Sequence, residues 1–338
     1  MKRAHVLLLA LALLAGGCDA VFDHFAEKNL DPGHEEYLSD GNLHVLLCGT
    51  GTPLVDPRRV SFCVVVIAGG QVIQVDAGPG SWRVAAMARM PRRKLSAMLI
   101  THFHSDHIGE IGEVTMQSWL AGRSGEALPI YGPPGIEDVV DGFSKAYAWD
   151  RKHRVDHHGA KYMPPAAGEM RAIAVPVEDP RAGALVLEKD GLRVTAFPVK
   201  HDPVVPAYGY KFEYRGRTLV ISGDTAKSEN VAHHAKGADM LIHEALGKRL
   251  VEYGQSWADR NGHERWAKLT RDVVTYHTSP VEAAQVAQEA GVKTLVYAHV
   301  GPLPNAIADW MFLRGTSDAF NGEIILGEDG QWLELEGR

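Results

Sequence analysis

Residues 101–110 read THFHSDHIGE, and this stretch decides how the rest of the chain is interpreted. Within it, His102, His104, Asp106 and His107 form the pattern H-x-H-x-D-H. Side chains alternate along an extended segment, so we expect the first three on one side and His107 turned away. Imidazole nitrogens and a carboxylate oxygen in so short a span are a donor set that suits zinc. The pattern therefore predicts a metal site rather than a histidine-rich solvated loop.

Histidine or aspartate also follows other predicted strands. Short apolar runs bounded by Gly, Pro or charge predict strands at 43–48, 62–68, 71–75, 97–101, 192–199, 207–214, 217–222, 239–242 and 293–298. The strand 97–101 leads into the motif, and four later strands lead to His201, Asp224, His243 and His299. Ligands in open α/β folds gather beyond the carboxyl ends of strands. The five strand ends therefore predict one shared site.

The remaining pattern is that of one globular α/β domain. The chain has 338 residues, of which 45% are apolar and 23% are charged, as in ordinary globular proteins. Helices are predicted near 110–121, 134–149, 228–236, 263–275 and 279–290. The last helix has Ser279 as its cap, Pro280 in its first turn and Glu282 to complete a capping box. Two sheets with helices outside them fit this order better than one parallel sheet.

The first residues are typical of an export signal. A basic start, a short apolar run and small residues before Cys18 predict a lipoprotein-type signal peptide at 1–17, with lipid attached to Cys18. Residues 18–41 are predicted to form a tether, and 42–338 the folded domain. This interpretation places the protein in the periplasm, anchored to a bacterial membrane. Cleavage near Ala20, giving a soluble periplasmic protein, is the alternative.

Two other cysteines are Cys48 and Cys63, near the ends of strands that we expect to be neighbours. In an oxidising compartment they could pair. Two buried apolar thiols explain them equally well. Neither interpretation gives them a catalytic role.

The ordered motifs resemble those of the metallo-β-lactamase superfamily, in its ribonuclease Z and arylsulfatase-like branch. They are GTGTP (49–53), DAGPG (76–80), THFHSDH (101–107), YGPPG (131–135), PAYGY (206–210), SGDT (222–225), IHEA (242–245), HTSPVEAA (277–284) and LVYAH (295–299). The resemblance covers nearly all of the chain after the signal segment. It implies an αββα sandwich with the site at one edge of the sheets.

The resemblance also implies a ligand set for two metal ions, expected to be zinc, with manganese or iron as alternatives. One metal would be held by His102, His104 and His201. The second would be held by Asp106, His107 and His299, with Asp224 bridging the two. A metal pair of this kind lowers the pKa of a bound water and so supports hydrolysis at neutral pH.

Two residues are predicted to move protons. Asp106 is a ligand that can also orient or deprotonate the attacking water. His243 is the expected general acid, as the matching histidine of the family is proposed to be, and support of a ligand is its alternative role. His277 is expected to organise the helix start at 278–280 rather than bind metal. The glycines of GTGTP and DAGPG are expected to form tight turns.

The sequence favours a small-molecule substrate. The net charge of −7 and the absence of a basic exosite segment argue against nucleic acid as a partner. An exported enzyme would also not meet cytoplasmic tRNA. The run from MQSWLAGR (116–123) through YGPPG to AYAWD (146–150) resembles the arylsulfatase-type members, which implies a sulfate or phosphate ester as substrate. Residues 246–276 are expected to form a cap over the site. The alternatives are a lactone, β-lactam or aryl halide hydrolase, a tRNA-processing endonuclease of the ribonuclease Z type, or a non-catalytic zinc-binding envelope lipoprotein. A homodimer is expected by analogy alone.

Overall fold

The computed structural model describes residues 22–23, 32–303 and 305–338. The chain divides into two compact units, Met1–Gly33 and His34–Arg338, and the fold below is that of the second. The predicted signal segment 1–17 and Cys18 lie outside the described residues. Among the helices of the described part, none has the length and apolarity needed to cross a bilayer.

Two seven-stranded sheets form the centre of the domain. The strands of the first are β1 (Leu43–Gly49), β2 (Cys63–Ala68), β3 (Gln71–Val75), β4 (Leu95–Leu99), β5 (Leu128–Gly132), β6 (Met170–Ala174) and β14 (Gln331–Leu335). The strands of the second are β7 (Ala184–Lys189), β8 (Leu192–Pro198), β9 (Tyr208–Tyr214), β10 (Arg217–Ile221), β11 (Met240–Leu246), β12 (Thr294–Gly301) and β13 (Glu323–Leu326). Their orders are β14-β1-β2-β3-β4-β5-β6 and β13-β12-β11-β10-β9-β8-β7.

The apolar runs become strands that are buried on both faces. All residues of β2 (CVVVIA) are buried, as expected for a strand with a layer on each side. Val64 and Val66 contact the core between the sheets, whereas Val65 faces the helices outside. This alternation has the period of two that a strand imposes. The predicted αββα sandwich is confirmed.

Helices flank both sheets and border the site. They are α1 (Ser81–Met87), α2 (Ser105–Ile108), α3 (Ile111–Leu120), α4 (Ile136–Ala146), α5 (Ala148–His158), α6 (Glu229–His234), α7 (Lys248–Arg260), α8 (Glu264–Val273), α9 (Pro280–Ala290), α10 (Ala306–Leu313) and α11 (Thr316–Ala319). The capping box expected at the start of α9 is present, with the Ser279 side chain accepting the Glu282 N–H. Packing of α9 and α6 on the second sheet builds the outer core on that side.

Several elements differ from the sequence prediction. Strands β5, β6, β7, β13 and β14 were not predicted, and most are only partly buried, so their apolar pattern is weak. Strands β11 and β12 continue to Leu246 and Gly301, which places His243 and His299 inside strands. The pairing of these two strands is irregular between His243 and Ala245. Bulges of this type re-aim side chains beside functional sites.

Two features hold the N-terminal part of the domain against the first sheet. Residues at the end of the predicted tether pack on the fold: the Tyr37 ring stacks on His44 with centroids 3.8 Å apart, and Glu35 pairs with Arg93. Cys48 and Cys63 form a disulfide between the neighbouring strands β1 and β2. Of the two interpretations left open by the sequence, the structure therefore contains the disulfide. It closes the loop 49–62 at one side of the predicted site.

Candidate metal centre

The motif 101–110 leaves β4 at the edge where the two sheets meet. His102 and His104 lie on extended chain, and Asp106 and His107 lie in the one-turn helix α2. The expected extended course past His104 is therefore wrong. Because the chain turns into a helix, His107 points toward the same place, with its ring centroid 4.1 Å from that of His102.

Strand ends from the second sheet bring the other predicted ligands to this place. Ligand-capable atoms of His102, His104, His201 and Asp224 lie within 4.8 Å of one another, as do those of Asp106, His107 and His299. Asp224 lies between these groups: Oδ2 is 3.4 Å from His107 Nε2, and Oδ1 is 3.2 Å from His299 Nδ1. The structure thus brings together all seven predicted ligands. We call these seven side chains the metal-binding floor.

Several atoms of the floor are buried and make no well-aligned hydrogen bond among the described residues, although some lie near one another. They are His107 Nε2, His201 Nε2, Asp224 Oδ1 and His299 Nδ1. A buried polar atom without a partner costs free energy, so a group of them that converges indicates a missing partner. Imidazole nitrogens and carboxylate oxygens are the donors that zinc prefers. The residues present therefore fit a metal centre.

The electrostatics of the floor favour the ligand forms of its side chains. Burial lowers the pKa of His102 well below its usual range and lowers the pKa values of His104 and His201. These imidazoles are thus neutral and have a lone pair to donate. Burial alone would raise the pKa of Asp224, but His299 and His107 hold it well below its usual range. Asp224 is consequently an anion between the two clusters.

Asp76 is a functional candidate that sequence reasoning missed. Its Oδ2 lies 2.8 Å from His107 Nδ1, and its oxygens accept hydrogen bonds from the Thr101 N–H and hydroxyl at 2.8 and 2.7 Å. A carboxylate of this kind fixes the orientation of a ligating imidazole. The available signal was an aspartate directly after the buried strand β3, which runs parallel to β4. Reading DAGPG only as a glycine turn concealed it.

The predicted general acid, His243, lies behind the site. Its side chain is fully buried, and Nδ1 is 2.7 Å from the Glu244 carbonyl oxygen. His277 instead lines the cavity, with Nδ1 3.2 Å from Glu244 Oε1. Burial works to lower the pKa of His277, but the Glu244 carboxylate raises it overall. The helix start is capped by Ser279, which leaves His277 free to face the cavity.

A cavity of about 460 Å³ opens above the floor. Its apolar lining includes six side chains that we call the apolar wall: Leu54, Leu250, Trp266, Leu269, Val273 and Tyr276. Helices α7 and α8 supply four of the six, so residues 246–276 border the site as expected of a cap. Among the described residues that line this cavity, there is neither a lysine nor an arginine.

A second cavity, of about 400 Å³, has the opposite character. It lies against β8, β9 and α6, and its lining includes Arg181, Arg193, Lys211 and Lys236. A chain with a net charge of −7 therefore still presents a local basic surface. Net charge does not describe the field at any one place on a protein.

Comparisons with known proteins agree with this architecture. The family model described as the β-lactamase superfamily domain matches residues 72–300. The ribonuclease Z of Mycobacterium bovis is 35% identical over 300 residues, which are 88% of this chain and 99% of the relative. A metallo-β-lactamase fold protein of Bacillus subtilis superposes with a TM-score of 0.60 at 20% identity, over 87% of this chain and all of that one. The short form of human tRNase Z gives a TM-score of 0.59 at 21% identity, over 86% and 98% of the two chains.

Two expectations from the sequence are wrong. The main substrate prediction was a small-molecule sulfate or phosphate ester, and nucleic acid was expected not to be a partner. The end-to-end relatives are instead ribonucleases. The net charge of −7 was one argument against nucleic acid, but this acidic chain carries a basic cavity, so whole-chain charge does not exclude nucleic acid.

Proposed function

The chain belongs to the β-lactamase superfamily and to its ribonuclease Z branch, and we propose that it is an endoribonuclease that processes tRNA. As a member of this family it is a metal-dependent hydrolase. The observation that carries the proposal is the match to ribonuclease Z along 99% of the relative's length. The convergence of the metal-binding floor supports it independently, because a phosphodiester is a bond that a metal pair hydrolyses well.

Two zinc ions fit the floor best. His102, His104 and His201 would hold one, Asp106, His107 and His299 the other, and Asp224 would be shared by both. When bound, the pair would supply positive charge for the phosphate oxygens and lower the pKa of the attacking water. Asp76 and the carbonyl of Tyr276, which accepts a hydrogen bond from His201 Nδ1 at 3.1 Å, hold two of the imidazoles in orientation.

Proton transfer falls to two side chains that line the cavity, Asp106 and His277. Asp106 would orient the attacking water or accept its proton, because its carboxylate lines the cavity and is held by His299, whose Nε2 lies 3.2 Å from Asp106 Oδ2. His277, oriented by Glu244, would donate the proton that the leaving oxygen needs. We assign this role to His277 rather than to His243, because only His277 lines the cavity.

Export of the protein from the cytoplasm stays a prediction. It would decide which cellular compartment supplies the RNA substrate. Segment 1–17 and Cys18 would place the protein outside the cytoplasm, and the Cys48–Cys63 disulfide is typical of an oxidising compartment. Cell fractionation of the full chain beside Cys18→Ala tests the lipid anchor. A protein that stays in the cytosolic fraction in both forms contradicts it.

The activity test uses purified zinc-loaded protein and a precursor tRNA transcript with extensions at both ends. We expect internal cleavage at one position, with aryl sulfate, lactone and β-lactam substrates left intact. His277→Ala should lower kcat by about 10²–10⁴-fold, the usual contribution of a general acid, without loss of bound metal. His243→Ala, measured in parallel, should cause a smaller loss.

Two results would contradict the proposed function or the proposed proton donor. If the zinc-loaded protein leaves the transcript intact while it turns over one of the small substrates, the proposed function is wrong. If His243→Ala costs more than His277→Ala at equal metal content, the assignment of the proton donor is wrong and the ribonuclease proposal stands.

A further inference from the structure

We infer that the apolar wall binds the nucleobase of an unpaired nucleotide next to the scissile phosphate, with Trp266 as its main contact. The inference rests on the proposed function and names the part of the substrate that the site selects. It concerns the side of the cavity that takes no part in holding metal.

The wall is exposed where apolar side chains are normally covered. Trp266, Leu269 and Leu54 retain 46%, 49% and 42% of their accessible surface, and all three line the cavity above the floor. Apolar surface grouped in a concave site, with a few polar groups at one end, is the usual composition of a site for an organic ligand. The wall is therefore suited to bind an apolar or aromatic group of the substrate.

Tyr276 connects the wall directly to the floor. Its ring lies 5.1 Å from the ring of His201, edge to face, and its carbonyl oxygen accepts the His201 Nδ1 hydrogen. A group bonded to a phosphate on the floor would consequently lie against Tyr276 and the residues beyond it. In a nucleotide, the group at that position is the ribose with its base.

Charge and size restrict the occupant to one nucleotide. The lining contains the carboxylates Asp106, Asp224 and Glu244 and no Lys or Arg among its described residues, so a second phosphate would have no lysine or arginine to pair with. The volume of about 460 Å³ suits one small organic group. A base-paired helix is too wide to enter, so the nucleotide must be unpaired.

Stacking is the interaction that this surface offers. Aromatic side chains bind bases through their faces with little dependence on sequence, and aliphatic neighbours cover the opposite side. Trp266 and Leu269 both lie on α8 and line the same cavity. We expect a purine to bind more tightly than a pyrimidine because its larger face buries more surface.

The test compares Trp266→Ala with Trp310→Ala on the precursor tRNA transcript. Trp310 is a matched control, since it is 64% exposed on α10 and does not line the cavity. Trp266→Ala should lower kcat/KM by about 5- to 150-fold, as when one base loses its stacking partner, while Trp310→Ala leaves it unchanged. Trp266→Phe should recover most of the activity. Bound metal should be equal in all of the variants.

A second substrate separates base binding from a general structural effect. On a transcript with an abasic nucleotide next to the cleavage position, wild type and Trp266→Ala should have equal kcat/KM. In the slow His277→Ala background, 2-aminopurine at the same position should lose fluorescence on binding, and the additional change Trp266→Ala should abolish that loss.

The inference and the proposed function fail in different ways. If wild type cleaves the transcript but Trp266→Ala costs the same on intact and abasic RNA, the base-binding role is overturned and the ribonuclease stands. A wall that instead joins two copies of the chain would make Trp266→Ala monomeric by sedimentation without the abasic effect, which also overturns it. If wild type cleaves no RNA, the proposed function itself has failed.

Discussion

The floor and the wall of one cavity are built in different ways. Most floor side chains are buried, sit at strand ends of both sheets and hydrogen-bond to neighbours such as Asp76 and Tyr276. The wall belongs mainly to the helical pair α7 and α8, whose Trp266 and Leu269 are about half exposed. We infer that the strand ends and the motif after β4 position the metal ligands. The helices inserted between β11 and α9 would then determine which group of the substrate binds beside the metal site.

The largest expected effect comes from the centre of the floor. Asp224→Asn keeps the shape of the side chain but removes the charge that both metal clusters share. We expect hydrolysis to fall to background and metal content, measured by mass spectrometry, to drop. Trp266→Ala should leave metal content unchanged. Full metal occupancy with full activity in Asp224→Asn would remove the distinction between floor and wall.

A smaller loss is expected one layer behind the floor. Asp76→Asn should weaken zinc affinity or activity by about 10- to 100-fold, because His107 loses the carboxylate that orients it. Competition with a zinc chelator measures the affinity. The single carbonyl oxygen of Asn can still accept from the Thr101 N–H, and the Thr101 hydroxyl can accept from the Asn amide, so the fold should be retained. An unchanged affinity would mean that His107 is held by its own backbone alone.

The disulfide closes a loop that contributes to the wall and contacts the floor. The loop that it closes carries Leu54 of the wall and Phe62, whose ring lies 5.6 Å from that of His107. The double change Cys48→Ser, Cys63→Ser should lower the free energy of unfolding by about 3 kcal/mol, the value for a loop of about 15 residues. Urea denaturation of wild type with and without reductant is the matching control. If reduction changes neither stability nor KM, the loop is held by packing.

Asp239 lies at the opposite end of β11 from the metal-binding floor. It shows whether a buried carboxylate away from the floor also affects activity. Asp239 accepts hydrogen bonds from Lys293, Arg217 and Arg338 at 2.6 to 3.1 Å. Burial alone would raise the pKa of Asp239, but Lys293, the Thr218 N–H and Arg217 hold it below its usual value. Asp239→Asn should therefore lower the free energy of unfolding by about 2 kcal/mol at neutral pH. The specific activity of the folded enzyme should be unchanged.

The sign of the pH dependence follows from that lowered pKa. The stabilisation by Asp239 is complete above the pKa of the unfolded chain, about 3.9, and is lost as the pH falls through the lower folded value. The difference in unfolding free energy between wild type and Asp239→Asn should hence shrink below about pH 4. A difference that stays constant down to pH 2 would contradict the ionic origin.

The sequence determined the parts of this protein that depend on local pattern. Apolar runs predicted the strands that are buried on both faces, and Ser279 with Glu282 predicted the start of α9. The same reasoning placed His102, His201, Asp224 and the other ligand candidates at or near strand ends. Weakly patterned edge strands such as β7 and β14 were missed because partial burial leaves little apolar signal.

Only the tertiary structure decided which side chains face the cavity. The sequence favoured His243 over His277 as the proton donor, but β11 continues through His243 and buries it, while the turn before α9 leaves His277 facing the cavity. Asp76 lies 26 residues before His102 in the sequence, and parallel pairing of β3 with β4 brings it to His107. Packing between elements far apart in the chain sets these directions, and local sequence does not encode it.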